Sequence, residues 1–372
     1  MTAETPSFAV AHAAGGDWAQ LAKSCADRLA DAGGDLGFLY ATDTLADQLP
    51  SILTFLRERL RIADWVGSIG MGVCATGQEY FDEPAIAVMT ARLPAGSWRV
   101  FPPVKGAAAL DDPATRERLG APASGLAVVH ADPRNAQVPA IIAPLAARHA
   151  HYLVGGLTSS RGRHSQIAGS VTEGGVSGVL LGETVPVAVG LTQGCRPIGP
   201  PHRIAGAAGN VIRELDGEPA LTVLLRETDA DPKQLARALR NIHVALPVEG
   251  SDTGDYVVRN LIGIDPERGL IAIGDAVRDG ASVMFVRRDP VSAAADLGRM
   301  LDGLKRRHNA PPKAGLYFSC IARGPNLFGP RSAELGMIRD RLGDFPLVGF
   351  FCNGEISHDR LYGYTGVLAL FL

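Results

Sequence analysis

The sequence predicts a mixed α/β protein whose β-sheets carry helices on their outer faces. Three observations predict it. Short, nearly all-apolar runs alternate with stretches whose apolar residues recur at helical spacing. One outline occurs three times: strand, helix, strand, polar glycine-containing turn, strand. Each copy holds a Val-Gly pair, at Val66-Gly67, Val154-Gly155 and Val348-Gly349. Finally, the last two strands of each copy are joined by stretches too short for a crossover helix, which predicts antiparallel neighbours and excludes a purely parallel sheet.

In chain order, Phe8 to Ala13 reads as the first strand. Trp18, Leu21, Ala22, Cys25 and Leu29 fall on one face of a helix, which Gly33-Gly34 ends. Leu36 to Thr42 is almost wholly apolar, as a strand buried on both faces must be. Leu49, Ile52, Leu53, Leu56 and Leu60 form the stripe of the next helix, and strands at Trp65 to Val73 and Ala85 to Leu93 complete the unit. Between Arg92 and Gly125 five prolines (Pro94, Pro102, Pro103, Pro113, Pro122) interrupt the pattern and predict a surface connection. The middle unit has strands at Leu126 to His130 and Leu153 to Gly156. Its helix carries Val138, Ile141, Ile142 and Leu145, its loop runs from Gly155 to Gly175, and Val176 to Gly182 is its closing strand.

Beyond Pro186 a strand enters a loop rich in proline and glycine, and Asp216-Gly217 marks a hairpin turn. A domain boundary near Leu215 divides the chain into 1–215 and 216–372. Leu235, Leu239 and Ile242 mark a further helix, and Val257 to Ile264 pairs with Leu270 to Gly274. Ala281 to Arg287 is a strand, and Ala294, Leu297, Leu301 and Leu304 mark the helix before the last unit, Ala314 to Leu372. The first and last units each read strand-helix-strand-helix-strand-strand, the mark of an internal duplication. The closing strands of the middle and last units share a hydroxyl residue followed by Gly-Val-Leu, from Ser177 and from Thr365.

Composition bounds the function. The chain has 372 residues, 46% hydrophobic and 20% charged, enough for a large core and about two domains. A net charge of −3 implies no basic face for nucleic acid. The five cysteines are scattered with no Cys-x-x-Cys, which argues against a disulfide framework or a zinc site and for a reducing cytoplasm. No apolar run is long enough for a membrane span, and the first residues lack a basic signal region.

The block Thr192-Gln193-Gly194-Cys195-Arg196-Pro197-Ile198-Gly199-Pro200, then Gly209-Asn210-Val211-Ile212 and Leu215-Asp216-Gly217-Glu218-Pro219-Ala220, resembles the junction of the two halves of FIST proteins (F-box and intracellular signal transduction). Phe318 to Gly324, Pro346 to Phe351 and Gly354-Glu355-Ile356 resemble the C-terminal half; Val66-Gly67-Ser68 and Gly155-Gly156-Leu157 resemble the N-terminal half. The resemblance implies a sensory module that binds a small ligand, with amino acids a suggested class. Bacterial relatives place it beside signalling output domains and eukaryotic ones behind an F-box. This sequence carries neither attachment, so a stand-alone module that signals through a partner is expected.

Cys320 and Asn353-Gly354-Glu355 end strands of one unit and so are expected to converge on one rim. Arg323 has the fork to clamp a carboxylate, and Glu355 the charge to receive an amino group, which together suit an amino acid. The structural reading of both is an ion pair that holds a turn. Polar residues in or beside the matching blocks, Ser68, Thr158, Ser159 and Asn210, complete the candidate ligand set. Cys320 would be a nucleophile if Arg323 lowered its pKa, and a cysteine-dependent hydrolase or transferase is the alternative function; a protein-interaction scaffold is another. The loop from Gly155 to Ser165, with Arg161 and Arg163, has the glycines for a phosphate cradle but lacks the Lys-[Ser/Thr] of a P-loop, and reads as surface. No cofactor or metal is called for. The expectation is a small polar metabolite bound in a cleft between the halves.

Overall fold

The computed structural model describes residues 6–120, 124–229, 239–248, 250, 254–308 and 310–372. They form a mixed α/β protein with two compact units: 1–192 with 297–372, and 193–296. The compact units are therefore not consecutive halves of the chain.

The first unit is built on three six-stranded sheets of one plan. In the first sheet Leu36–Thr42 runs parallel to Asp64–Gly70 and antiparallel to Ala85–Arg92, which in turn pairs with Ser7–Ala14. In the second, Ser124–Ala131 is parallel to Leu153–Leu157 and antiparallel to Val176–Gly182, with Trp98–Val104 outermost. In the third, Ala314–Cys320 is parallel to Leu347–Cys352 and antiparallel to Thr365–Phe371, with Val187–Gln193 outermost.

Each sheet is completed by a hairpin from another repeat. Gly72–Ala75 and Gln78–Phe81, from the first repeat, extend the third sheet. Gln166–Ala168 and Ser170–Thr172, from the second, extend the first sheet. Glu355–His358 and Arg360–Tyr362, from the third, extend the second sheet. The exchange closes in a ring.

The inner faces of all three sheets meet in one core that includes Phe38, Tyr40, Val66, Val128, Val154, Phe318, Phe350 and Phe371. Helices cover the outer faces. Leu39 and Ala41, alternating with Phe38 and Tyr40, pack outward with Leu21, Cys25, Ile52 and Leu56. Both faces of Leu36–Thr42 are thus buried, as its apolar run predicts. At the centre Tyr40, His130 and Phe318 come from equivalent places in the three sheets, with ring centroids 5.5 to 6.3 Å apart.

The repeated Val-Gly pair has a steric cause. A Cβ on Gly67 would lie 1.8 Å from the Leu39 carbonyl oxygen, one on Gly155 1.8 Å from that of Val129, and one on Gly349 1.7 Å from that of Tyr317. Only glycine lets the parallel strands approach this closely.

Several details differ from the sequence expectation. The run from Trp65 to Val73 is two strands in different sheets, Asp64–Gly70 and Gly72–Ala75, because the chain crosses over at Met71. The last two strands of each repeat are not neighbours; the connection between them is itself the exchanged hairpin, and the closing strand pairs with the opening strand of the parallel pair. The proline-rich connection holds Trp98–Val104, an edge strand, where Pro102 and Pro103 can be tolerated, and the helix Pro113–Leu119.

In the second unit Ser282–Arg288, His202–Ala208, Val211–Leu215, Leu270–Ile273, Tyr256–Asp265 and Ile242–Pro247 pair in that order. Ile242–Pro247 returns to Ser282–Arg288, which closes a six-stranded antiparallel barrel. Ile204, Ile212, Val244, Ile271 and Phe285 belong to its core. The helix expected around Leu235, Leu239 and Ile242 is not seen at its end: Leu239 lies in a short turn and Ile242 begins a strand, while Leu235 lies outside the described residues.

Candidate functional site

Ala314–Cys320 and Leu347–Cys352 run parallel, and their last residues, Cys320 and Cys352, are partners in register. The chain then turns through Asn353 and Gly354 into Glu355–His358, which pairs with Leu153–Leu157. The turn is fastened on both sides: the Asn353 N–H donates to the Leu157 carbonyl (3.0 Å) and the Leu157 N–H to the Gly354 carbonyl (2.8 Å). Gly354 has a φ of +130°, where a side chain is strained, and a Cβ there would also stand 3.2 Å from both Leu157 and Leu361. The Asn353 side chain is exposed.

Glu355 is fully buried. Its Oε2 accepts from the Thr365 N–H (3.1 Å) and hydroxyl (2.8 Å), while its Oε1 has no partner. Burial pushes its pKa up to about 8, against the pull of the Thr365 bonds and the Arg323 charge. The Cys320 thiol lies against this carboxyl, and the backbone N–H groups of Ala322 and Tyr364 point at its sulfur. Burial nevertheless pushes the Cys320 pKa up, and Arg323 is too weak an influence to lower it as the sequence reading required.

Arg323 does not pair with Glu355. It is fully buried, with Nε 2.8 Å and Nη2 2.7 Å from Oε1 of Glu334, and it stacks over Phe328 at 5.0 Å. Glu334 also accepts from the Tyr317 hydroxyl (2.7 Å), the Ser319 hydroxyl (3.0 Å) and the Gly324 N–H (3.0 Å). One edge of the fork, Nε and Nη2, faces Glu334; Nη2 is held there by charge and distance rather than by a well-aligned hydrogen bond, and Nη1 makes none. Glu79, from the exchanged hairpin of the first repeat, accepts from the Leu335 N–H at 3.0 Å, and its Oε2 is unpartnered. Burial, and then the nearby Glu334 charge, push the Glu79 pKa up to about 7.

The remaining candidates are tied to partners within the protein. The Ser159 hydroxyl donates to the Phe351 carbonyl (2.5 Å) and accepts from the Met71 N–H (2.9 Å), which places it at the same strand end. Ser68 donates to the Ile69 carbonyl (2.9 Å), and Thr158 bonds His164 (3.1 Å). Asn210 belongs to the barrel unit, where its amide donates to the Ile273 carbonyl (3.0 Å). Arg161 pairs with Asp43 and Asp82 of the first repeat, and Arg163 with Glu173, so both loop arginines already face acids. A groove of about 540 Å³ lies elsewhere, lined by Leu304, Lys305, His308, Arg341, Leu342 and Leu372 among others, and contains none of these residues.

Sequence reading missed Glu334, Glu79, Cys352 and Thr365. Thr365 alone carried a signal, the hydroxyl before Gly-Val-Leu. Its counterpart Ser177 donates to Gln166 (2.6 Å), and Gln166 opens the exchanged hairpin of the second repeat as Glu355 opens that of the third.

The described residues thus form three sheets that exchange hairpins and a barrel, with a buried acid, Glu355, at a strand end. The FIST N domain model matches residues 35–218 and the FIST C domain model residues 220–358, and the chain belongs to the FIST family. FIST domains are generally small-ligand sensory domains of signal transduction. The chain is 32% identical over 373 residues to an uncharacterized protein of Mycobacterium tuberculosis, covering 95% of both chains. It is 30% identical over 361 residues to an uncharacterized protein of Mycobacterium bovis, covering 93% of this chain and 92% of that one. No helix among the described residues is long and apolar enough to cross a membrane.

Proposed function

We propose that this protein is a FIST sensor that binds a small polar metabolite bearing an amino group, with an amino acid as the fitting class, and passes the signal to a protein partner in the cytoplasm. Glu355 carries the reading. A buried carboxyl with one oxygen satisfied and the other unpartnered gains most from a ligand that brings an N–H donor or a positive charge. Asn353 offers an exposed amide in the adjoining turn, and Gly354 keeps the backbone close. Ser68, Thr158 and Ser159 hold the neighbouring strand ends in place. Cys320 lines the same spot, and Arg323 acts from behind through its charge. Asn210 is assigned to the barrel unit's own turn. The matching sheets support an origin by duplication, and the boundary near Leu215 is an inherited one between FIST halves.

The test is a thermal-shift screen of the purified chain, under reducing conditions, against amino acids, nucleotides and small carboxylates. A ligand at 100 times its Kd stabilises the fold by about 2.7 kcal/mol. The expected hit carries an amine, binds more weakly at pH 6 than at pH 8.5 because Glu355 must lose its proton, and disappears in Glu355→Gln. A hit that survives Glu355→Gln would move the ligand to another site, such as the groove beside His308 and Arg341. A blank screen of folded protein would overturn the sensor reading.

A further inference from the structure

Cys320 and Cys352 stand in register at the ends of two parallel strands. Register partners present their side chains to one face from backbones ~4.8 Å apart, inside the Cα range of roughly 4.4–6.8 Å that a disulfide spans. Both are free thiols. Cys320 is the less buried of the two, at 8% exposure against 0% for Cys352. Three further groups surround it. The N–H groups of Ala322 and Tyr364 point at its sulfur and favour negative charge there. The Glu355 carboxyl lies against the thiol, and its buried Oε1 has no donor facing it other than that thiol. The Cys352 thiol donates to the Phe350 carbonyl at 3.6 Å and sits over Gly156, whose lack of a side chain leaves it room. Among the described residues no three of His, Cys, Asp and Glu are grouped to hold a metal ion.

We propose that Cys320 and Cys352 form a two-thiol oxidation site at which a small hydroperoxide is reduced and the pair closes to a disulfide. In the first step the Cys320 sulfur attacks the distal oxygen of the hydroperoxide. An S–O bond forms, the O–O bond breaks, and the thiol proton passes through Glu355 to the departing oxygen, which leaves as water or an alcohol. In the second step the Cys352 sulfur, turned about its Cα–Cβ bond, attacks the Cys320 sulfur. An S–S bond forms, the S–O bond breaks, and hydroxide leaves with the Cys352 proton as water. Two thiols lose two electrons and the peroxide gains them. Burial holds both thiols protonated, so the first step depends on the neighbouring carboxylate as base.

The test needs no variant to begin. The full chain is treated with hydrogen peroxide, denatured, and its free thiols are counted and its peptides mapped. The expected result is a fall from five thiols to three, with the Cys320 and Cys352 peptides joined and dithiothreitol restoring all five. Cys352→Ser should instead accumulate a Cys320 sulfenic acid that dimedone labels, and Glu355→Gln should slow the first step at least tenfold at pH 8.5. Five intact thiols after a dose that oxidises a free cysteine peptide would overturn the proposal, as would a disulfide joining Cys320 to any cysteine but Cys352. If Cys352→Ser does not fold, the wild-type count and peptide map still decide. The ligand screen is run with the thiols reduced, so it fails or succeeds independently of this result.

Discussion

The slot of Gln166 and Ser177 and the slot of Glu355 and Thr365 are one arrangement made twice. In each, a hairpin residue pairs with the position after a conformationally required glycine, Ser68 after Gly67 or Gly156 after Gly155, and receives a hydroxyl from a closing strand. Gln166 completes itself: its Oε1 accepts from Ser177 and its Nε2 donates to the Gly175 carbonyl at 3.2 Å. Glu355 has the same shape but no N–H to give, so one oxygen is unpartnered, and below about pH 8 the folded chain keeps a proton on the carboxyl. An amide in this slot closes a structure; an acid leaves it open to a proton or a ligand.

The most disruptive way to sharpen the comparison is to make the two slots alike. Between about pH 4.5 and 8 the folded chain holds a proton on Glu355 that the unfolded chain has released. Stability therefore falls as pH rises through that window, by up to ~1.4 kcal/mol per pH unit. Glu355→Gln should remove this part of the decline, several kcal/mol in total, and leave a smaller one of the same sign from Glu79, whose pKa is about 7. Urea denaturation at pH 5 and 8.5 measures both; an unchanged pH dependence would break the comparison.

The frame shared by the slots comes next. Gly155→Ala and Gly349→Ala should each cost about 3 kcal/mol, because the added Cβ overlaps a carbonyl oxygen of the parallel strand. Similar losses in thermal melts would show that the repeats depend on the same close approach, whereas a neutral Gly155→Ala would show that they do not.

The smallest effect separates acid from amide at a single hydroxyl. Ser177→Ala and Thr365→Val should each cost about 1 kcal/mol at pH 5, the usual worth of a neutral hydrogen bond. At pH 8.5 Thr365→Val should cost roughly 2 kcal/mol, since its hydroxyl then serves a charged acceptor, and Ser177→Ala should not change. Chemical denaturation of the two variants at both pH values reads the difference.

Much of this frame is written locally. Leu36 to Thr42, Val176 to Gly182 and Ala314 to Cys320 announce themselves as strands because both faces are buried and nearly every residue must be apolar. The Val-Gly pairs announce the parallel contacts. Other features depend on distant partners. Nothing near Gln166 or Glu355 states which sheet its hairpin will join, so Gly155 to Gly175 reads as one polar loop although Gln166–Ala168 lies inside a sheet. Glu334 occupies the first turn of a helix, where an acid is expected at the surface, yet it is fully buried because Arg323, Tyr317, Ser319 and Gly324 all donate to it. The Cys320–Cys352 pairing follows only from parallel register. The barrel strands are legible as hairpins, but its closure through Ile242–Pro247 and Ser282–Arg288 is not.

The ring of exchanged hairpins also governs how the chain can be divided. A fragment beginning at residue 216 would keep Leu347–Cys352 but lose Gly72–Ala75, the strand that covers its edge, and would carry Glu355–His358 with no Leu153–Leu157 to receive it. Its complement would lack the matching partners, and the cut would also divide the barrel, because His202–Ala208 and Val211–Leu215 pair with strands beyond residue 216. Each fragment would expose unpaired backbone that the other matches, so the halves should be poorly soluble alone and recover structure on mixing. A reporter split at this point would therefore assemble through strand pairing already encoded in the protein.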